Sequence, residues 1–126
     1  MRKALLFILF CIAIYMNGCD LFASTIVAMN IEAAQESANV KKTEIILKNI
    51  KTTILQYRLE FNTLPNSLQD LIDTPNGRPL LEKEALLDSW GQPLQYEKNS
   101  NKIIITSIGA DGKPSTEDDI YIDYLY

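Results

Sequence analysis

The sequence predicts an α+β domain in which a long N-terminal α-helix packs on a small antiparallel β-sheet. One observation is a stretch from about Asn30 to Phe61 that contains neither glycine nor proline. Another is a set of short β-branched and aromatic segments that follows this stretch, with turn-forming residues between them. A long helix followed by consecutive short strands is typical of α+β domains, in which the helix covers one face of the sheet.

Apolar residues repeat along the helical stretch in steps of three and four. They are Leu47, Ile50, Ile54, Tyr57 and Phe61. This spacing places them on one stripe of a helix, which must be buried against another element. The helix is expected to stop near Asn62, because Pro65 biases Leu64 toward extended geometry.

The rest of the domain is predicted to contain short helices and three strands. Ser67 with Asp70 three positions later predicts a capped short helix through Ile72. Residues 81–87 are expected to add one or two helical turns. The strands are expected at residues 94–97, 102–107 and 120–124, which are rich in β-branched and aromatic residues.

Residues 1–29 are predicted to be a signal peptide or membrane anchor that precedes a domain spanning residues 30–126. A positive start, Arg2-Lys3, leads into the unbroken apolar segment 4–16. As a helix this segment would reach about 20 Å, shorter than a hydrocarbon core of about 30 Å, and its length is typical of a secretory signal.

Three forms of this N-terminus remain open. Gly18-Cys19 resembles the cleavage and acylation site of bacterial lipoproteins, which predicts a lipid anchor on Cys19. Alternatively, residues 4–29 form one uncleaved spanning helix, or a simple signal peptide is removed. In all three forms the charged start stays in the cytoplasm, and the domain faces the periplasm.

Composition argues against nucleic-acid binding and catalysis. The formal net charge is −4, and no basic cluster follows residue 3 beyond Lys41-Lys42, whereas nucleic-acid binding requires a basic face. Histidine is absent, which removes the commonest general base and zinc ligand. Both cysteines, Cys11 and Cys19, precede the domain. We therefore expect neither an enzyme nor a small-molecule substrate.

The segment between the last two predicted strands is strongly acidic. Five carboxylates occur within thirteen residues: Asp111, Glu117, Asp118, Asp119 and Asp123. Lys113 is the only opposing charge there, so the carboxylates repel one another unless they are solvated or share a cation. Calcium takes oxygen ligands and tolerates irregular loops, and Gly109 and Gly112 would let the backbone curl. The spacing is not that of an EF-hand, and a solvated loop without a cation remains the alternative.

A hydrolase that uses paired carboxylates is the other chemical possibility for this loop. Such an enzyme needs one carboxyl group kept protonated by an apolar setting. Apart from its acidic residues, the loop consists mainly of glycine, lysine, proline, serine and threonine, which offer no such setting.

Three motifs in order resemble the major pseudopilins of bacterial type II secretion, the general secretory pathway protein G family. The acidic loop carries Ser-Ile-Gly-Ala-Asp-Gly-Lys-Pro at 107–114 and Thr-Glu-Asp-Asp-Ile at 116–120. Residues 88–96 and 57–65 are similar to two further segments of that family. The likeness covers about residues 41–123.

The resemblance implies a pilin-like fold with a calcium ion held in the last loop. Asp111, Asp118 and Asp119 would supply side-chain oxygens and Ile108 a backbone carbonyl, with a further carbonyl from near Asp123. The ion would be structural and would allow subunits to pack.

The same resemblance implies a structural subunit of a type II secretion system, which secretes proteins across the outer membrane. Its partners would be other pseudopilin-like subunits or secretion-system components, and its N-terminus would hold it in the membrane. The apolar segment 4–29 contains no glutamate, unlike the family's leader. An alternative is therefore a lipid-anchored envelope protein that uses the same domain as a non-polymerising binding module.

Overall fold

The structure is a computed structural model of the 126-residue chain. It describes the backbone from Arg2 and the side chains of residues 27–126. The chain divides into two compact units, Met1–Ser37 and Ala38–Tyr126. Helix α1, Arg2–Phe61, contributes residues to both, and the first unit consists of its N-terminal part.

The predicted anchor, residues 1–29 with Cys19, lies largely outside the residues whose side chains are described. Its three possible forms therefore remain predictions, as does the domain boundary at residue 30. Within residues 27–126, no helical segment has both the length and the apolar character needed to cross a membrane.

The second half of α1 buries the predicted apolar stripe. Leu47, Ile50 and Ile54 are at most 1% exposed, Tyr57 is buried, and Phe61 is half-buried with its ring centroid 4.6 Å from that of Tyr57. Absence of glycine and proline lets the helix continue to this point, and burial of the stripe stabilises it.

The helix ends as the sequence predicts. Asn62, the residue after α1, has a φ of 56°, the left-handed conformation that commonly terminates helices and that asparagine tolerates. Pro65 follows and is buried. Its carbonyl accepts a hydrogen bond of 2.8 Å from the Tyr96 hydroxyl, which ties the chain after the helix to the sheet.

Two short 3₁₀ helices, Leu68–Leu71 and Lys83–Leu86, connect α1 to the sheet. The predicted capping pair is present at the first, where the Asp70 carboxylate accepts hydrogen bonds from the Ser67 hydroxyl at 3.0 Å and the Ser67 amide at 3.4 Å. Both segments are tighter than the α-helical turns expected, which is common for helices of about one turn.

The sheet has three antiparallel strands in the order β1-β2-β3, with β1 at Gln95–Lys98, β2 at Lys102–Ser107 and β3 at Ile120–Leu125. Tyr96 pairs with Ile105, which pairs in turn with Ile122 of β3. Alternate residues of β2 are buried, so one face of the sheet is covered, as expected for strands of period two.

The core lies between this face and the stripe of α1. Its buried members are Leu47, Ile50, Ile54, Tyr57, Leu68, Leu71, Leu94, Ile103 and Ile105. Ile120, Ile122 and Tyr124 of β3 pack against them from the sheet edge. The predicted α+β architecture, with a long helix on a small antiparallel sheet, is confirmed. It places the acidic loop between its central strand, β2, and β3.

Candidate metal centre

The acidic loop, residues 108–119, leaves the end of β2 and returns to the start of β3. It turns sharply at its beginning, where Gly109 is buried with a φ of 65°. An ideal Cβ on Gly109 would lie 2.4 Å from Oδ2 of Asp118 and 2.5 Å from the Asp118 carbonyl oxygen. Only glycine allows this approach, so the two ends of the loop are in direct contact at this position.

Asp118 accepts two hydrogen bonds from within the loop. Thr116 Oγ1 donates to Asp118 Oδ1 at 2.6 Å, and the Asp111 backbone amide donates to Asp118 Oδ2 at 3.0 Å. These donors hold the pKa of the Asp118 carboxyl group below its ordinary value, with the threonine hydroxyl contributing most and partial desolvation acting in the opposite direction. Asp118 is therefore a carboxylate at neutral pH and an oxygen donor available to a cation.

Asp111 and Asp119 converge on the same hydroxyl. Oδ1 of Asp111 and Oδ1 of Asp119 each lie 3.4 Å from Thr116 Oγ1. Backbone amides hold both side chains in place, from Lys113 to Asp111 Oδ1 at 2.8 Å and from Ser115 to Asp119 Oδ2 at 2.8 Å. The three aspartates named by the sequence thus meet around one threonine side chain.

The single hydroxyl of Thr116 cannot donate a hydrogen bond to each of three carboxylates. It carries one hydrogen, which the shortest contact assigns to Asp118, and so provides no donor for the other two aspartates. Three negative charges are left sharing a small volume, which a divalent cation would neutralise. An all-oxygen set in an irregular loop suits calcium, so the residues present fit that ion by their chemistry.

Among residues 27–126, however, no group of three or more acidic side chains has the spacing of a ready-made metal site. The three aspartates surround Thr116 Oγ1, and one oxygen of each also accepts a hydrogen bond from a backbone amide. A bound ion would be held by the oxygens of these three carboxylates. Ile108, the predicted carbonyl donor, is half-buried between β2 and Gly109.

The other two carboxylates lie outside this group. Glu117 is exposed. Asp123 lies on β3, and its Oδ2 is 2.6 Å from the Lys102 Nζ of β2. The hydrogen bond and charge of Lys102 hold the pKa of the Asp123 carboxyl group below its ordinary value of 3.8. The side chain of Asp123 thus forms an ion pair with Lys102 of the neighbouring strand.

Thr116 was not predicted from the sequence as a functional residue. Threonine hydroxyls often bond to nearby backbone groups in loops, as Thr116 Oγ1 does to the Lys113 carbonyl at 3.0 Å, but this tendency does not indicate the contact with Asp118. The approach of Asp111 depends on the folded loop, and no local pattern indicates it.

Comparison with known proteins identifies the family to which the chain belongs. The fold matches the crystal structure of the major pseudopilin from the type 2 secretion system of enterohaemorrhagic Escherichia coli, with a TM-score of 0.56 and 26% sequence identity, over 71% of this chain and 86% of that one. The family model described as "Type II secretion system (T2SS), protein G" matches residues 30–123. The chain belongs to this family, as the resemblance predicted.

A sequence relative supports the same conclusion. The type II secretion system core protein G of Xanthomonas campestris pv. campestris is 28% identical over 89 residues, which is 65% of this chain. The matched segment spans 61% of the length of that relative, less than two thirds.

Proposed function

We propose that this chain is a structural, calcium-binding pseudopilin-like subunit of a type II secretion system. Membership of the protein G family and the likeness to a major pseudopilin support the secretion role. The observation that carries the calcium proposal is the convergence of Asp111, Asp118 and Asp119 around Thr116. The ion would neutralise the loop and hold its two ends together, with Ile108 providing a backbone oxygen.

Under this proposal the ion is structural. It gives rigidity to a segment whose aspartates otherwise rely on one threonine hydroxyl and three backbone amides, and a rigid loop is a better surface for packing against another subunit. The partners would be other pseudopilin-like subunits or secretion-system components in the cell envelope. No catalytic step is assigned to the chain.

Thermal melting of the full chain with calcium and with excess chelator tests the metal. Calcium at about one hundred times its dissociation constant would stabilise the fold by about 2.7 kcal/mol, a rise in melting temperature on the order of 10 °C. Asp118→Ala is expected to melt lower and to lose the calcium dependence. Glu117→Ala removes an exposed carboxylate of the same loop and should keep the calcium dependence. Identical wild-type curves in calcium and chelator would refute calcium binding.

The N-terminus decides between the subunit and the alternative, a lipid-anchored binding module that does not polymerise. Gly18-Cys19 favours the module, because it resembles the acylation site of bacterial lipoproteins. Intact mass spectrometry of the chain purified from membranes separates the two. A diacylglyceryl group on Cys19 would support the module. A chain that retains Met1, or one cut and methylated elsewhere, would support the filament subunit.

A further inference from the structure

Asp88 is a buried carboxylate outside the acidic loop. It is 6% exposed and begins the turn at residues 88–92, which precedes β1. Its Oδ1 accepts hydrogen bonds from the backbone amides of Trp90 at 3.0 Å and Gln92 at 2.8 Å. This one oxygen is enough to close the turn, a common role for aspartate at such a position.

The second oxygen of Asp88 has a different partner. Oδ2 accepts a hydrogen bond of 2.6 Å from the hydroxyl of Ser107, the fully buried last residue of β2. Closing the turn does not require this contact, which joins two segments nineteen residues apart. A hydrogen bond to a buried carboxylate is short and strong, so Ser107 Oγ is held firmly in one orientation.

Ser107 connects Asp88 to the acidic loop by two hydrogen bonds. Its Oγ donates to Asp88 and accepts a hydrogen bond of 3.2 Å from the backbone amide of Gly109. Gly109 is the residue against which Asp118 lies, with no room for a Cβ between them. A displacement of Gly109 would therefore move the carboxylate of Asp118.

We infer that Asp88 and Ser107 are positioning residues of the acidic loop, which hold Gly109 where Asp118 can join Asp111 and Asp119, and so set the affinity of the loop for a divalent cation. This inference rests on the proposed calcium binding. Groups that orient metal ligands without touching the metal commonly change its affinity by 10- to 100-fold when removed.

Ser107→Ala is the primary test, because it leaves both turn hydrogen bonds of Asp88 intact and removes the link to Gly109. Asp88→Asn is the second variant. Its amide oxygen can still accept from Trp90 and Gln92, but its amino group can only donate to Ser107 Oγ, so the charge-assisted hydrogen bond from the Ser107 hydroxyl is replaced by a weaker one in the opposite direction. The control is Thr74→Val, which removes another buried hydroxyl, one that donates to the Arg78 carbonyl at 2.7 Å in a different loop.

Two quantities are measured on the full chain. Calorimetric titration with calcium chloride should give a dissociation constant about 10-fold weaker for Ser107→Ala and for Asp88→Asn. Thr74→Val should lower the melting temperature and leave the dissociation constant unchanged. Hydrogen exchange of the Gly109 amide, followed by NMR in chelator, should be faster in Ser107→Ala than in the wild type.

The outcomes separate the inference from the proposed function. If the wild type binds calcium and Ser107→Ala binds it equally well, the inference is wrong, and the proposed function stands. If the wild type binds no calcium, the calcium binding in the proposed function is refuted, and the exchange rate of the Gly109 amide alone tests the positioning role. Faster exchange in Ser107→Ala would then support it, and unchanged exchange would overturn it.

Discussion

Gly109→Ala should destabilise the domain through two separable effects. The first is conformational, because the φ of 65° at Gly109 costs a residue with a Cβ about 1–2 kcal/mol. The second is steric, because the new Cβ would lie 2.4 Å from Oδ2, 2.7 Å from Cγ and 2.5 Å from the carbonyl oxygen of Asp118. Relieving such overpacking typically costs about 1–3 kcal/mol. The expected total is about 2–5 kcal/mol, a large share of a typical stability of about 5–15 kcal/mol.

Gly77→Ala is the matched control for this prediction. Gly77 also has a positive φ, of 71°, but an added Cβ there meets nothing within 4 Å. It should therefore cost only the conformational part, about 1–2 kcal/mol. Urea unfolding of both variants in chelator gives the two free energies of unfolding without any contribution from calcium. Equal losses in the two variants would refute the close packing of Asp118 on Gly109.

Two further predictions concern the sheet. Asp123→Asn should lower stability at pH 7 and lower it less near pH 2, because a pKa lowered by Lys102 gives stability that is present above about pH 4 and lost on acidification. Urea unfolding at both pH values checks this, and an equal deficit at both would contradict it. Tyr124→Phe should not destabilise the domain, because among the described residues the buried Tyr124 hydroxyl has no hydrogen-bond partner to lose. The substitution also keeps the aromatic ring, which Lys51 Nζ approaches at 5.3 Å from the ring centroid. Burial raises the pKa of Tyr124 to about 12, so the stability of the wild type should fall between about pH 10 and about pH 12. Tyr124→Phe should lose less stability over that range, which unfolding measured at alkaline pH can check.

Those parts of the fold that depend on local pattern were predictable. The stripe from Leu47 to Phe61 follows directly from helical spacing, and the capping pair Ser67 and Asp70 marks the first short helix at its observed place. The β-branched residues of the segment predict β2 with its observed bounds, Lys102–Ser107. Strand ends were less accurate, since β3 continues to Leu125 through its pairing with Lys102. Pairing of this kind is a tertiary contact that local sequence does not encode.

The candidate site, too, was predictable only where it depends on local sequence. Three aspartates in one short loop could be recognised from charge density and from the family resemblance. The shared position of Thr116 depends on how the loop closes, because Asp111 reaches it from five residues away. The contact of Asp88 with Ser107 joins a turn to a strand end nineteen residues later. No spacing rule predicts such a contact, and it became visible only once the turn and β2 were placed together.

The loop and the scaffold have complementary roles in this account. β2 is the central strand of the sheet, and its end is fully buried at Ser107, so the start of the loop is anchored to the core of the domain. The remainder of the loop is mostly exposed and carries a concentrated negative charge. Under the proposed function, a charged loop on a buried frame would hold the ion, which would neutralise its carboxylates.

A crystal structure of the chain grown in calcium is the most direct test of the central claim. We predict one ion bound by oxygens of Asp111, Asp118 and Asp119 and by the Ile108 carbonyl, at distances of about 2.3–2.6 Å. The Thr116 hydroxyl should no longer be the common partner of the three side chains. Carboxylates that still surround Thr116 at saturating calcium, with no ion between them, would contradict the account.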